Sequence, residues 1–236
     1  MLFLLPPSET KRSGGGLLTI DQVALTFGGL NQAREAVISA AGAESLLVAP
    51  TMRAIDRYTG TLYSAIHGRG LKGSATEHNS LTSQEIARAK CSVLIQSAMF
   101  GLIPATDLIP EYKISPSKNI EGLNLKRVWT EAHNAIWPRL DGGLIIDMRS
   151  KAYAELAPIP EGIEHYSVTV EVEYLDGSRR TLNHFNKKAK GQLVRAALTA
   201  KNPPESLVDL RACAKRAGLR LEAKGHTLTI VTREAT

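Results

Sequence analysis

The chain has 236 residues, of which 43% are hydrophobic and 22% are charged; these values are typical of globular proteins and exclude a disordered chain. Its two cysteines, Cys91 and Cys213, lie far apart in sequence, which excludes a disulfide framework and is typical of a reducing compartment. The apolar stretch from Met1 to Leu5 stops at Pro6 and is too short for a signal peptide or a membrane span. We therefore expect a cytoplasmic protein that does not associate with membranes.

The net charge of +6 is concentrated at one end of the chain. Residues 183–236 contain eleven Lys and Arg residues against four Asp and Glu residues, a net charge of +7, whereas residues 1–182 have a net charge of −1. A clustered basic surface attracts polyanions, so nucleic acid is the first partner to consider. We predict a basic C-terminal segment, residues 183–236, within a single domain that spans residues 1–236.

The first third of the chain predicts one buried strand followed by several helices. Four apolar residues, 2–5, form the strand and are ended by Pro6-Pro7, and Lys11 follows at its carboxyl end, where open α/β folds tend to bind ligands. A glycine-rich stretch at 67–74 is predicted to be a surface turn. Helices are predicted at 31–41, at 46–66 with breaks near Pro50 and Gly60, and after the Ser/Thr cap at 82–85.

The middle of the chain predicts two buried strands that are each followed by polar side chains. The strands are expected at 92–95 and 144–147, with a helix at 127–140 that buries Trp129. The turn-rich segment 97–112 is too apolar for a free loop, so we expect it to pack while its polar groups face a cleft. The cleft candidates are Lys11, Ser97, Asp107, Tyr112, Lys113, Ser150 and Tyr153.

Two of these candidates have plainer alternatives. Asp107 lies between prolines and is also typical of a turn-forming residue. Tyr153 is also typical of a half-buried packing residue.

The last third begins with a predicted hairpin. Residues 168–174 alternate between apolar and polar, as in a half-buried strand, and Asp176-Gly177 supplies the two positive φ angles of a tight turn. A second strand is expected at 179–185.

A basic helix is predicted next, with Asn186 as its N-cap. Three lysines in its first turn, Lys187, Lys188 and Lys190, oppose the helix macrodipole, which prefers negative charge there. Lys188 and Arg195 fall on one side of this helix with Gly191 between them. We therefore predict an anion site at its free N–H groups, and the alternative is a solvated basic helix end.

The chain is predicted to close with a second helix and a hairpin. Pro203-Pro204 end the preceding helix and lie just before the start of the second one. Arg211 and Lys215, four residues apart, form a basic stripe on the outer face of this second helix. Lys224-Gly225 is the expected turn of the hairpin. These elements together predict the α/β class, with α+β possible, and a mixed sheet.

Several blocks of the sequence resemble, in order, those of the YaaA-like peroxide-stress family. The blocks span most of the chain and comprise Pro6-Pro7-Ser8-Glu9, Gly60-Thr61-Leu62-Tyr63, Ser97 to Tyr112-Lys113, Trp129, Ile145 to Tyr153, and Lys187-Lys188-Ala189-Lys190-Gly191 with Arg195. The resemblance implies a compact α/β domain with a basic cleft, a C-terminal helical hairpin-like element, DNA binding and a role in peroxide stress. It implies a basic block of Lys187, Lys188, Lys190 and Arg195, and a cleft block of Ser97, Asp107, Tyr112, Lys113, Ser150 and Tyr153.

Two functional hypotheses follow. The first is a protein that binds duplex or structured DNA without sequence preference, through phosphate contacts by Lys187, Lys188, Lys190, Arg195, Arg211 and Lys215. The alternative is an enzyme that acts on a small anionic or nucleoside-like substrate in a pocket lined by Ser, Tyr and Lys. The sequence contains no nucleotide fingerprint or metal-ligand set, so we expect neither cofactor nor metal.

Overall fold

The computed structural model describes residues 1–69, 81–140, 142–181 and 183–233; for 183–185 and 233 only the backbone is considered. Residues 70–74 of the predicted glycine-rich turn and residues 234–236 of the basic segment lie outside the described residues. The strands are β1 (Leu2–Leu5), β2 (Met52–Arg53), β3 (Val93–Ser97), β4 (Gly101–Pro104), β5 (Leu108–Ile109), β6 (Ile145–Asp147), β7 (His165–Glu173), β8 (Arg179–Arg180), β9 (Arg220–Lys224) and β10 (Thr227–Arg233). The α-helices are α1 (Asn31–Ala40), α2 (Ala54–Arg57), α3 (Thr61–Ile66), α4 (Ser83–Ser92), α5 (Leu125–His133), α6 (Lys151–Ala154), α7 (Asn183–Leu198) and α8 (Leu207–Arg216).

A mixed sheet with the strand order β4-β3-β1-β6-β7-β10-β9 runs through the molecule, and β8 pairs with β7 at one end. The central strands are parallel: β1 pairs with β3 on one side and β6 on the other, and β7 pairs in parallel with β6 and β10. The antiparallel pairs are β3 with β4, β9 with β10, and β7 with β8. The predicted mixed sheet and fold class are confirmed.

Burial explains the residue pattern of these strands. Phe3, Leu4 and Leu5 of β1 are at most 1% exposed, because helices cover both faces of a central parallel strand. In β7, by contrast, alternate residues Val168, Val170 and Val172 are buried while their neighbours are more exposed, which is the alternation seen in the sequence.

The helices begin at capping residues that the sequence provides. Thr82 with Glu85 forms a capping box at α4, and Ser206 with Asp209 forms another at α8. Trp129 of α5 is fully buried, as predicted, and its indole nitrogen donates a hydrogen bond to the Ala98 carbonyl (2.9 Å).

Four predicted elements were wrong in extent. The helical stretch expected at 46–66 contains a 3₁₀ helix at 44–48, the strand β2 and the short helices α2 and α3. The strand expected at 179–185 spans only 179–180, and α7 begins at Asn183 rather than after Asn186. The lysines of α7 therefore lie beyond its first turn, where the macrodipole opposes them less. The helix expected at 127–140 ends at His133 and is followed by a short 3₁₀ helix at 137–139, because Pro138 cannot continue an α-helical interior.

Both predicted hairpins are present, but the expectation of two positive φ angles at Asp176-Gly177 is wrong, because among the described residues only glycines have a positive φ. β7 and β8 are joined through Gly177 (φ 80°), and β9 and β10 through Gly225 (φ 54°), both conformations that favour glycine. No helix within the described ranges has the length and apolar character needed to cross a bilayer.

Candidate functional site

The carboxyl ends of β1, β3 and β6 lie side by side, because β1 is the middle strand of this parallel trio. Each strand is followed by polar residues: Ser8 to Lys11 after β1, Ser97 in β3, and Ser150 and Tyr153 after β6. This edge, with Tyr58, Tyr63 and Tyr112 packed against it, is called the strand-end site below. In open α/β sheets such an edge is the usual position of a ligand.

A chain of hydroxyl groups runs through the strand-end site. The Ser97 Oγ accepts hydrogen bonds from the backbone N–H groups of Met99 and Phe100 (both 3.0 Å), so its own proton is directed to the Tyr112 hydroxyl at 2.8 Å. The Tyr112 hydroxyl in turn lies 2.7 Å from that of Tyr58. Burial raises the pKa of Tyr112 to about 12 and that of Tyr58 well above its ordinary value, so both tyrosines are neutral donors at physiological pH.

Lys11 lies over this chain. Its Nζ is 4.2 Å from the centre of the Tyr112 ring and 5.7 Å from that of Tyr58, and it donates to the carbonyl oxygens of Ser8 (3.2 Å) and Glu9 (3.4 Å). Burial lowers the pKa of Lys11 to about 8, although Glu111 and Glu9 attract its charge. The amine therefore remains mostly charged at pH 7 and loses its proton closer to neutrality than an ordinary lysine does.

Two further tyrosines border the strand-end site. The Tyr63 hydroxyl donates to the Pro6 carbonyl (2.8 Å), which fixes the chain as it leaves β1. Burial raises the pKa of Tyr153, and the hydroxyl of Tyr112 and the carboxylate of Glu9 add to the effect.

The exit of β6 is held by a buried ion pair. The Arg149 guanidinium donates to both carboxylate oxygens of Asp147 (2.9 and 2.8 Å) and to the Ala157 carbonyl (2.9 Å). This pair stabilises the β6 exit that carries exposed Ser150 and half-buried Tyr153.

Two predicted cleft residues lie elsewhere. Asp107 accepts hydrogen bonds from the backbone N–H (2.9 Å) and the hydroxyl (2.5 Å) of Thr26, and burial raises its pKa. It thus links the turn before β5 to the N-terminal loop. Lys113 is exposed and borders a separate groove of about 350 Å³ beside the end of α1.

Two of the predicted DNA-contacting cations on α7 point into the protein. Arg195 donates to the Ile66 carbonyl at the end of α3 (2.9 Å), and Lys190, 7% exposed, donates to the Met148 carbonyl (3.1 Å). A Cβ atom on Gly191 would lie 2.2 Å from the Leu62 carbonyl oxygen, so this glycine allows α7 to pack closely on α3. The expectation that Gly191 gives an anion access to the backbone is wrong for this reason.

The other four predicted cations are exposed. Lys187 and Lys188 lie on α7, and Arg211 and Lys215 lie on α8, where the latter two border a groove of about 590 Å³ between α8 and the final hairpin. Among the described residues, no carboxylate lies within 4 Å of these four charged groups.

Sequence reasoning missed Tyr58 and the enclosed position of Lys190. Tyr58 precedes a turn at Gly60 and belongs to no periodic pattern, so only its contacts identify it. Lys190 lies between two small residues, Ala189 and Gly191. These small neighbours were the only sign in the sequence that this side of the helix packs against another element.

Comparison with known proteins finds relatives that match most of the chain. A family profile described as "Peroxide stress protein YaaA" matches residues 18–224. A UPF0246 protein of Corynebacterium glutamicum is 33% identical over 98% of this chain and 100% of its own length, and one of Streptomyces coelicolor is 32% identical over 95% and 93%. A UPF0246 protein of Shewanella woodyi is 27% identical over 61% of this chain and 59% of its own length.

Proposed function

The chain belongs to the YaaA family of peroxide stress proteins, and from this premise and its free surface cations we propose that it binds DNA through the phosphate backbone. The observation that carries the proposal is a set of four exposed cations in a segment of net charge +7: Lys187, Lys188, Arg211 and Lys215. In the part of the chain that the structure describes, no carboxylate lies within 4 Å of them. Cations that no protein carboxylate neutralises are available to replace the counterions of a polyanion.

The groove beside α8 favours contacts with the DNA backbone over recognition of the DNA bases. Arg211 and Lys215 border it with Gly218 and with Glu173 and Arg220, which form an ion pair (2.7 Å). Its apolar lining comes from Leu219, Leu221 and Val231. Lysine and arginine contacts to phosphate carry no sequence information, so duplex or structured DNA would be bound without sequence preference. The proposed contacts are Lys187, Lys188, Arg211 and Lys215; Lys190 and Arg195, which are engaged inside the protein, are left out.

The salt dependence of binding tests this proposal. We expect the affinity for a fluorescent duplex to fall steeply between low and physiological salt, and the slope of log K against log salt to decrease by about 1 for each contact removed. Measurements by fluorescence anisotropy on Arg211→Gln and Lys215→Gln should therefore show weaker binding to unrelated duplexes alike.

Lys118→Gln is the matched control, because Lys118 is exposed but lies outside the basic segment. Affinity that is independent of salt, or an equal loss in Lys118→Gln, would contradict the proposed surface.

A second candidate function is favoured by the strand-end site. An enzyme or binding protein for a small anionic or nucleoside-like molecule could use Lys11, which lies 4.2 Å above the Tyr112 ring beside a chain of hydroxyl donors. A thermal-shift series with the four nucleoside 5′-monophosphates would test it. The candidate requires a ligand-dependent rise in melting temperature that Lys11→Met abolishes and Lys118→Gln retains.

A further inference from the structure

The hydroxyl chain of the strand-end site has one more proton than it has acceptors. The Ser97 Oγ accepts from the backbone N–H groups of Met99 and Phe100 (both 3.0 Å), which occupy its two lone pairs. The Ser97 hydroxyl therefore donates to the Tyr112 hydroxyl (2.8 Å) and does not accept from it. The three hydroxyl protons of Ser97, Tyr112 and Tyr58 are thus shared between two bonds, of which the second joins Tyr112 to Tyr58 (2.7 Å).

The unused proton lies on one of the two tyrosines. If Tyr112 donates to Tyr58, the Tyr58 proton has no acceptor among the described residues; if Tyr58 donates to Tyr112, the same holds for the Tyr112 proton. Tyr58 is 1% exposed and Tyr112 is 5% exposed, so bulk water reaches these hydroxyls poorly. A buried donor without an acceptor is costly, and native proteins usually provide one.

Lys11 determines the charge of the group that can accept this proton. Its Nζ is 4.2 Å from the centre of the Tyr112 ring, and its described hydrogen bonds go to two uncharged acceptors, the carbonyl oxygens of Ser8 and Glu9. Within the described part of the chain, no carboxylate lies within 4 Å of this ammonium group. Lys11 is partly exposed, so a small molecule can approach from its side.

We infer that the unused tyrosine hydroxyl and the Lys11 ammonium group together bind an anionic oxygen of a small molecule, from a carboxylate or a phosphate group. This inference rests on the second candidate function and names its donors and the chemistry of its ligand. An anionic oxygen accepts strongly from both kinds of donor. It would complete a hydrogen-bond chain that starts at the N–H groups of Met99 and Phe100, and each bond of such a chain strengthens the next.

Burial has two consequences for this ligand. It raises the pKa of Tyr112 to about 12, so the hydroxyl remains a donor at physiological pH. It also keeps both hydroxyls beyond the reach of a rigid duplex, whose phosphates contact exposed side chains. The ligand is therefore a small molecule and not DNA.

Inorganic phosphate and acetate are the probes, because they separate the two sources of an anionic oxygen. Calorimetry should show that the wild type binds at least one of them, and that the double variant Tyr58→Phe/Tyr112→Phe binds it about tenfold or more weakly, since a charge-assisted hydrogen bond is lost. Both hydroxyls are removed because either ring can carry the unused proton, whereas phenylalanine retains the packing. Tyr174→Phe is the matched control, because Tyr174 is half-buried against Arg180 at the far hairpin.

A second measurement uses the wild type and does not depend on the folding of a double variant. In protein labelled with ¹³C at tyrosine Cζ, the bound anion should shift the resonances of Tyr58 and Tyr112, which the single Phe variants assign, and leave that of Tyr174 unchanged. A hydroxyl that only supports the fold would show no such dependence on the anion.

The outcomes separate this site from DNA binding and from the second candidate function. Weaker anion binding with retained duplex affinity in the double variant supports the inference, whether or not the protein binds DNA. Anion binding that Lys11→Met abolishes but the double variant retains overturns the inference and leaves the second candidate function in place. Binding of neither anion by the wild type, an equal loss in Tyr174→Phe, or unchanged Cζ resonances of both tyrosines overturns it as well.

Discussion

At the residue scale, Gly191 shows how one atom determines the distance between two helices. Replacement by alanine improves helix propensity by about 1 kcal/mol, but the new Cβ would lie 2.2 Å from the Leu62 carbonyl oxygen and 2.7 Å from the Ala65 Cβ. Overpacking costs about 1–3 kcal/mol, and contact with a backbone oxygen that cannot move aside lies at the upper end of this range. After the gain in helix propensity, we expect Gly191→Ala to lower the free energy of unfolding by about 1–2 kcal/mol in urea denaturation. Gly162→Ala is the control, because a Cβ there meets open space, and it should change little. A Gly191→Ala protein as stable as the wild type would show that the α3–α7 packing adapts freely.

At the element scale, the joint between α7 and α8 depends on one arginine of α4. Arg88 donates to the carbonyl oxygens of Leu198 (2.8 Å), the last residue of α7, and of Ala200 (2.5 Å) and Lys201 (3.1 Å) just beyond it. A hydrogen bond from a charged donor contributes about 1.5–3 kcal/mol, so Arg88→Met should lower the free energy of unfolding by roughly 2–4 kcal/mol and speed amide exchange at 199–206. Exposed Arg127, on α5, gives the control Arg127→Met. Unchanged exchange at the joint in Arg88→Met would refute this role.

At the scale of the whole molecule, buried bases make stability depend on pH in two windows. Burial lowers the pKa of His133 to about 4 and those of Lys11 and Lys190 to about 8, so in each window the unfolded chain binds more protons than the folded protein. Stability should therefore rise with pH between about 4 and 6.5, by about 3 kcal/mol for His133, and again between about 8 and 10. Above about pH 10 the raised pKa values of Tyr58 and Tyr112 reverse the slope, because the unfolded chain then loses protons first.

Urea denaturation across this pH range measures both windows. His133→Phe should flatten the acid window relative to the wild type, and Lys190→Met should flatten the alkaline one. The free energy of unfolding could depend on pH in the same way in the wild type and in Lys190→Met between about pH 8 and 10. That result would mean that Lys190 is not desolvated in the folded protein.

The sequence by itself determined the elements whose causes are local. Four consecutive apolar residues produced β1, Asp176-Gly177 and Lys224-Gly225 produced the two hairpins, and Thr82 with Glu85 opened α4. The sequence also showed that polar residues follow the predicted strands. This indicated that the carboxyl edge of the sheet is the place where a ligand would bind. These features depend on backbone conformation and on contacts between near neighbours in sequence, which a short pattern contains.

Only the tertiary structure decided what the charged and small residues do. Lys188 and Lys190 read alike in sequence, yet one is exposed and the other extends to the Met148 carbonyl; Gly191 resembled an opening for an anion and is instead a contact with α3. Asp107 and Tyr112 were predicted to share a cleft, but Asp107 binds Thr26 while Tyr112 lies beneath Lys11. The physical reason is that desolvation and hydrogen-bond partners come from residues distant in sequence, so the role of a charge is determined only when the sheet brings its strand ends together.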